Sequence, residues 1–269
     1  MNKLNNELFR RLFKLFNEKP DVVKEHQVEL LSKTIYKNND IAFYKLLSQY
    51  LDYDFDYDKI IIHENPKDYL FNHYYLNIKT NDKKLLEYSI KNEIYKPYEL
   101  LVHDELEDIG EVLPRLSYFD KPFKYLALYK DNKMISKVSP QEINAMKKDI
   151  DEAKGNVLVI GLGLGYFPYM VSLKDDVNHI DVIEEDINVI NIFNKVLFKQ
   201  FQNKNKINIL EGNIKSSQLE LDKYDYIYVN SYNNFSQAID VYNLFNENDK
   251  YKKLKNIHFY LLKSIKLLK

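Results

Sequence analysis

The chain of 269 residues contains no cysteine and only six glycines, and its formal net charge is −1. Without cysteine it can form neither disulfides nor thiolate zinc sites, and it has no thiolate nucleophile. A reducing compartment is compatible with this lack, and a cytoplasmic protein is expected. The near-neutral charge gives no overall basic surface, so nucleic acid is not expected as a partner.

Long apolar runs are also missing. The longest, residues 157–173, is interrupted by three glycines and by Pro168, so it indicates a strand, a turn and a helix rather than a membrane span. The N-terminus is charged from Lys3 onward and has no secretory apolar region. No membrane association is expected. The six histidines are scattered without H-x-x-x-H spacing, and no metal site is predicted.

Lysine, asparagine, isoleucine and tyrosine are frequent, which is typical of proteins from AT-rich genomes. The abundance of tyrosine, 23 residues, therefore indicates a bias of composition and nothing about function. The placement of the scarce residue, glycine, is more informative.

Three of the six glycines, Gly161, Gly163 and Gly165, lie close together. Four β-forming residues, 157–160, precede them. An apolar helical pattern follows, with Pro168 in its first turn, where the missing N–H group of proline is not needed. A strand, a glycine turn and a helix expose backbone N–H groups and a helix N-terminus to an anionic ligand. The pattern predicts a nucleotide-cofactor loop.

The spacing of the glycines distinguishes between cofactors. The dinucleotide fingerprint G-x-G-x-x-G would require glycine where the chain has Tyr166. The next predicted strand, residues 179–184, ends in Glu184 about 20 residues after the loop, the spacing at which a carboxylate binds ribose hydroxyl groups. The neighbouring Glu185 and Asp186 are expected to be surface charges. Two more predicted strands are residues 207–210, leading to Asn213 and Ile214, and residues 224–229, leading to Asn230.

Over residues 155–235 this series resembles the class I S-adenosylmethionine-dependent methyltransferases. In that family the glycine loop contacts the methionine part of the cofactor, and the acid that ends the second strand binds the ribose. A polar residue after the third strand reaches the adenine, and the end of the fourth strand faces the reacting centre. By position, the resemblance implies S-adenosylmethionine binding by Gly161, Gly163 and Gly165, by Glu184, and by Asn213 with Ile214 against the ring, and it places Asn230 at the reacting centre.

The chain departs from the family at two of these positions. The family usually has aspartate where Asn213 stands, and often an acid where Asn230 stands. Asparagine keeps a hydrogen-bond acceptor but carries no charge. Adenine binding is therefore expected to tolerate the change better than acid–base chemistry does.

The order of predicted elements indicates an α/β fold: a Rossmann-like, doubly wound, mostly parallel sheet of about five strands in the order 3-2-1-4-5. We expect a mainly helical N-terminal cap over residues 1–120, and a β-hairpin plus the S-adenosylmethionine-binding domain over residues 121–269. The helical apolar patterns of the cap cover residues 3–17, 21–36, 40–51, 66–78 and 83–92. Two acidic segments are expected to be solvated, residues 53–58 and 104–111.

The hairpin is predicted at residues 125–138, and Ser139, Pro140 and Glu142 then form a helix-capping box. The succession of a hairpin, a capped helix and the strand before the glycine loop also resembles the spermidine synthases. Those enzymes use decarboxylated S-adenosylmethionine on a methyltransferase-like fold. Their fourth strand is followed by an aspartate-rich segment that contains the base. Here the corresponding residues, 230–233, are Asn-Ser-Tyr-Asn, which disfavours polyamine synthesis.

Methyl transfer from a sulfonium depends on in-line positioning, which can lower the barrier by about 7–11 kcal/mol. It needs a general base only when the acceptor arrives protonated. Asn230 and Tyr232 are the candidate catalytic residues, and His103 and His258 are further candidate bases. The sequence thus predicts an S-adenosylmethionine-dependent methyltransferase with a small-molecule acceptor. An aminopropyltransferase-like enzyme, a nucleic-acid methyltransferase, a cofactor-binding protein without catalysis, and a homo-oligomeric state stay open.

Overall fold

The computed structural model describes residues 61–97, 99, 101–103, 116–214, 220–232, 234–249 and 251–268. The helices predicted within residues 1–51 and both acidic segments lie outside these residues. The chain divides into two units, one of residues 1–68 and 94–124, and one of residues 69–93 and 125–269. The domain boundary predicted near residue 120 stays a prediction.

The elements are numbered in chain order through the described residues. The strands are β1 (Ile61–His63), β2 (Lys83–Leu85), β3 (Tyr88–Tyr95), β4 (Leu101–Val102), β5 (Leu116–Tyr118), β6 (Phe123–Lys130), β7 (Lys133–Val138), β8 (Gly155–Ile160), β9 (Val177–Glu184), β10 (Ile207–Glu211), β11 (Tyr226–Val229) and β12 (Ile257–Phe259). The helices are α1 (Pro66–Leu70), α2 (His73–Asn77), α3 (Pro140–Glu152), α4 (Tyr166–Ser172), α5 (Ile187–Val196), α6 (Phe235–Glu247) and α7 (Leu262–Leu268). No helix in these parts of the chain is long and apolar enough to cross a bilayer.

The first unit contains a small sheet in the order β1-β5-β4. Strand β1 runs parallel to β5, whereas β4 runs antiparallel to it. Beyond β5, the buried rings of Phe119 and Phe123 stack at 4.5 Å.

The second unit contains a five-stranded sheet in the order β10-β9-β8-β11-β12, in which every neighbouring pair is parallel. In sequence order this is 3-2-1-4-5, so the predicted α/β, Rossmann-like parallel sheet is confirmed. The central strand β8 is fully buried over residues 157–160, as expected for a parallel strand covered on both faces.

Helices cover both faces of this sheet because the side chains of each strand alternate between faces. On one face, Leu158 and Ile227 belong to an apolar cluster that includes Ala238 of α6 and Ile265 of α7. On the other face, the ring of Tyr228 stacks on Phe167 of α4 at 3.9 Å. The sheet is therefore doubly wound.

The predicted β-hairpin is confirmed as β6 and β7, which pair antiparallel. Its two turn residues, Asp131 and Asn132, have φ values of 48° and 61°, as a tight two-residue hairpin turn requires. The predicted capping box is also confirmed: Ser139 precedes α3, and its backbone N–H donates to Glu142 at 3.1 Å.

The predicted helix over residues 83–92 is wrong. This segment forms β2 and β3, which pair antiparallel across a turn that contains Leu86 at φ 54°. Tyr88 and Ile90 are fully buried and alternate with half-buried neighbours, so the segment has the two-residue period of a strand. These strands join the hairpin in a four-stranded sheet in the order β2-β3-β6-β7.

The predicted helix over residues 66–78 is present as two short helices, α1 and α2, rather than one. Asn72 interrupts it, because its extended backbone and its side chain, which accepts from the Tyr74 N–H at 2.9 Å, begin a new helix there.

Candidate functional site

The carboxyl ends of the central strands bring the predicted site residues to one edge of the sheet. Strand order reverses at β8, which lies between β9 and β11, and ligands of such sheets bind in the crevice at this reversal. Backbone hydrogen bonds continue the strand pairing beyond the strand ends, from Gly161 to Ile183 (2.9 Å), from Asn230 to Ile160 (2.8 Å) and from Gly212 to Glu184 (2.9 Å). The glycine loop, Glu184, Asn213 and Asn230 therefore follow neighbouring strands at this edge.

The backbone conformation and the close packing of the loop explain why it contains glycines. Gly161 and Gly163 have φ values of 99° and 52°, in the region that side chains disfavour. A Cβ atom at Gly161 would lie 2.2 Å from the Asn230 carbonyl oxygen, and one at Gly163 would lie 2.6 Å from Ser136 Oγ. The glycines let the loop pack against the end of β11 and against the hairpin, and they do not by themselves require a cofactor.

Glu184 lies against the glycine loop. One carboxylate oxygen accepts the Leu162 N–H at 3.0 Å, and the other accepts the Asp186 N–H at 3.0 Å. Burial raises the pKa of Glu184; the two N–H groups oppose this, while the charges of Asp186 and Glu185 add to it. A carboxylate has about four acceptor positions, so these two N–H groups occupy about half of them; the predicted contact with ribose stays a prediction. Glu185, by contrast, is exposed.

The loop also presents backbone donors. Within the described part of the chain, the N–H groups of Gly163 and Leu164 have no hydrogen-bond partner. A side-chain hydrogen bond holds the loop in place, because the buried Tyr74 donates its hydroxyl to the Leu164 carbonyl at 2.7 Å. Two adjacent N–H groups on a fixed loop can bind a carboxylate.

Asn213 and Ile214 follow β10 as expected. The side-chain amide of Asn213 donates to Glu185 at 2.6 Å. Ile214 is buried in the apolar cluster of the α6 face. Their predicted contacts with adenine stay predictions.

The candidate catalytic groups are divided among several places. Asn230 is partly exposed at the end of β11. Tyr232, two residues later, donates its hydroxyl to the Tyr260 carbonyl. His258 lies 3.4 Å from Asp149 of α3. His103 belongs to the first unit, where its ring lies 2.5 Å from Glu64.

Asp186 is not the surface charge predicted from the sequence. Its carboxylate accepts the N–H of Asn188 at 3.0 Å at the start of α5, the Lys130 ammonium at 3.1 Å, and the hydroxyl of the buried Tyr88. Burial alone would raise the pKa of Asp186, but these three partners lower it overall. Asp186 therefore links both hairpins to the start of α5, two residues after Glu184. The aspartate before a helix could have indicated the cap, whereas nothing in the sequence indicates the hairpin partners.

Two surface clefts of the second unit lie away from these residues. The larger, of about 540 Å³, is lined by His73, Ile150, Asp151, Met170, Leu173, Lys174, Gln202 and Asn203. The smaller, of about 300 Å³, is lined by Asp82, Lys83, Lys84, Glu87, Ser89, Lys91, Asp131 and Asn132. Neither is lined by a predicted site residue.

No protein-family model matches the chain. No curated protein matches it either.

Among solved structures, the chain is similar to spermidine synthase from Thermotoga maritima, with 15% identity and a TM-score of 0.38 over 70% of this chain and 60% of that one. A spermidine synthase in complex with the transition-state analogue AdoDATO gives 16% identity and a TM-score of 0.33 over 61% and 48% of the two chains. A dimethyladenosine transferase from Plasmodium falciparum gives 16% identity and a TM-score of 0.29 over 40% of this chain and 36% of that one. TM-scores this low add nothing to the fold assignment, which comes from the strand order.

Proposed function

We propose that this chain is an S-adenosylmethionine-dependent methyltransferase that acts on a small-molecule acceptor. The observation that carries the proposal is the carboxylate of Glu184, held against the Leu162 N–H of the glycine loop at the reversal of strand order. A fixed carboxylate beside a loop with free N–H groups offers acceptors for ribose hydroxyls and donors for the carboxylate of the methionine part.

The residues of the edge fit the cofactor by the chemistry of their donors and acceptors. Glu184 would accept from the ribose hydroxyls, and the N–H groups of Gly163 and Leu164 would bind the methionine carboxylate. Asn213 would reach the adenine, with Ile214 against the ring. When bound, the cofactor supplies an electrophilic methyl group.

The chain's own contribution to the chemistry is orientation. Asn230 is neutral and cannot remove a proton, and the Tyr232 hydroxyl donates to a backbone carbonyl. The site therefore favours an acceptor that already presents a lone pair, such as a neutral amine, a phenolate or a carboxylate. Holding that lone pair in line with the methyl–sulfur bond is the main source of rate acceleration.

A second candidate, aminopropyl transfer, is favoured by one specific observation. The hairpin β6–β7, the capped helix α3 and the glycine strand β8 follow one another as the resemblance to spermidine synthases expects. The neutral residues Asn230 and Ser231 after β11 oppose it, because a protonated amine acceptor requires a base.

Calorimetric titration of S-adenosylmethionine into the wild type, Glu184→Ala and Glu185→Ala tests the cofactor assignment. Loss of charged hydrogen bonds worth about 1.5–3 kcal/mol should weaken binding roughly 10- to 150-fold in Glu184→Ala. Glu185→Ala is the neighbouring comparison: it removes an exposed carboxylate that, among the described residues, accepts only from the Asn213 amide, so it should weaken binding much less than Glu184→Ala does. Equal losses in both variants, or no binding by the wild type, would contradict the proposal.

Turnover is tested with a panel of amine, phenol and carboxylate acceptors by following S-adenosylhomocysteine release. If Asn230 orients the acceptor, Asn230→Ala should lower kcat while leaving the affinity for the cofactor nearly unchanged. A variant that turns over like the wild type would place the reacting centre elsewhere. Binding without release across the panel would favour a cofactor-binding protein without catalysis.

A further inference from the structure

Three metal-ligating side chains of different types converge in the second unit, away from the glycine loop. Asp149 and Glu152 lie in the last turns of α3, and His258 lies in β12. The ligand atoms of all three lie within 4.8 Å of one another. Because α3 leads into the beginning of β8, the group lies toward the amino ends of the strands, whereas the cofactor edge lies at their carboxyl ends. His258 is far from the two acids along the chain, so no sequence spacing indicates the group.

The distance between His258 and Asp149 fits two ligands of one ion better than it fits a hydrogen bond. His258 Nδ1 lies 3.4 Å from Asp149 Oδ1, beyond the usual hydrogen-bond range of about 2.7–3.2 Å. Two ligands at roughly 2.0–2.1 Å from a tetrahedral ion are separated by about that distance. The side chains of His258 and Asp149 are 31% and 19% exposed, so an ion can enter from solvent.

One tyrosine orients both of these ligands. The hydroxyl of Tyr226 donates to Asp149 Oδ1 at 2.6 Å, and its ring stacks on the His258 imidazole at 4.0 Å with an interplanar angle of 11°. Tyr226 is only 4% exposed. Its hydroxyl donates to a ligand carboxylate, as the outer-shell partners of metal ligands commonly do.

The third ligand, Glu152, can reach the other two by a change of its side-chain rotamer. Glu152 is 48% exposed, and its ion pair with Lys148 at 3.8 Å joins two exposed side chains. Such pairs hold their partners weakly. The carboxylate can thus complete a three-residue set by a change of rotamer.

We propose that Asp149, Glu152 and His258 bind one divalent transition-metal ion of the zinc type, which ties the end of α3 to the short edge strand β12. An imidazole with two carboxylates suits zinc and its neighbours, whereas magnesium and calcium prefer oxygen ligands alone. Water would complete the coordination. The site is independent of the proposed methyl transfer.

The test is zinc binding by the full chain, measured by competition with a chromophoric chelator. We expect one zinc ion per chain at this group, and a loss of at least tenfold in affinity in Asp149→Asn, Glu152→Gln and His258→Gln. Tyr226→Phe keeps every ligand and should weaken zinc about 10- to 100-fold. Circular dichroism in the presence of EDTA checks that each variant is folded.

His179 offers a matched control, because it is another histidine of the same sheet that lies beside an aspartate, with Asp181 at 3.1 Å. His179→Gln should bind zinc as the wild type does. No stoichiometric zinc binding, or zinc binding that survives His258→Gln, would overturn the proposal and leave a simple polar contact between His258 and Asp149. Magnesium binding of equal strength would overturn the assignment to a transition metal.

Discussion

Glu184 is the single side chain on which the cofactor proposal depends, and its burial gives that proposal a pH dependence. Burial raises its pKa above the ordinary value of 4.5. Only the ionised carboxylate accepts from two hydroxyl groups without donating in return. Cofactor affinity should therefore fall as the pH is lowered through this raised pKa, and it should be fully present above it. Calorimetric titrations at a series of pH values measure the effect, and Glu184→Gln should show a flat profile.

The same residue affects stability with the opposite sign. Because the folded-state pKa exceeds the value in the unfolded chain, folding favours the protonated form. The stabilisation is present below the ordinary value of 4.5 and is lost as the pH rises through the raised pKa. Free energies of unfolding for the wild type and Glu184→Gln should therefore converge at low pH and separate above it. Parallel curves would show that the carboxylate is not perturbed.

Gly163 supports a third residue-scale prediction, which concerns the strain stored in the glycine loop. Alanine at φ 52° should cost about 1–2 kcal/mol of backbone strain, and its Cβ would meet Ser136 Oγ at 2.6 Å. Gly163→Ala should thus lower the free energy of unfolding, measured in urea. Adding Ser136→Ala should recover the part due to the contact and leave the part due to the backbone. Full recovery would show that the φ value imposes no strain.

Tyrosines show where sequence reasoning fails at this scale. Composition gave no reason to select Tyr74 or Tyr88 from 23 tyrosines. Both are fully buried, and each uses its hydroxyl on a partner about 90 residues away or more, Leu164 and Asp186. A hydrogen bond between distant residues leaves no local pattern. Glu184 was predictable because the end of a strand after a glycine loop is itself a local signal.

At the scale of elements, Asp186 joins the start of α5 to both hairpins. Removing its carboxylate deletes a helix cap, worth about 1 kcal/mol, and leaves the hydroxyl of the buried Tyr88 without an acceptor, at about 1–3 kcal/mol. We expect Asp186→Ala to lower the free energy of unfolding by about 2–4 kcal/mol in denaturant titrations. The exposed Asp175→Ala is the control and should be near neutral. A loss no larger than that of a simple cap would mean that the contact with Tyr88 contributes little.

Elements were predictable where the local chemistry is specific. The hairpin β6–β7 has a turn made by Asp131 and Asn132, both suited to positive φ, and α3 has a capping box at its start. Strands β2 and β3 were missed because Leu86, an unusual residue at φ 54°, forms their turn. Without a glycine or asparagine there, the apolar residues alone fit a helix as well as a strand.

At the scale of the whole molecule, the order of the sheet was predictable because β8, β9, β10 and β11 each lead into a glycine or a polar residue, and this series carried the resemblance from which the order 3-2-1-4-5 was expected. The sequence did not predict that residues 69–93 belong to the second unit. Their contacts reach across long stretches of chain, for example from Asn72 to the hydroxyl of Tyr166 at 2.9 Å. Residues 69–93, which support the glycine loop, therefore lie within the segment that was predicted as the N-terminal cap.

Whole-molecule stability distinguishes the cofactor hypotheses, because a ligand that binds only the folded chain raises its melting temperature. At a concentration 100 times its Kd, S-adenosylmethionine should add about 2.7 kcal/mol, whereas NAD should add nothing, since Tyr166 replaces the last glycine of the dinucleotide loop. If the N–H groups of Gly163 and Leu164 bind the methionine carboxylate, the decarboxylated form should bind roughly 10- to 150-fold more weakly. Thermal shifts with the three ligands, each followed by calorimetry, measure this. Tighter binding of the decarboxylated form would mean that the loop does not bind a carboxylate, and would favour aminopropyl transfer over methyl transfer.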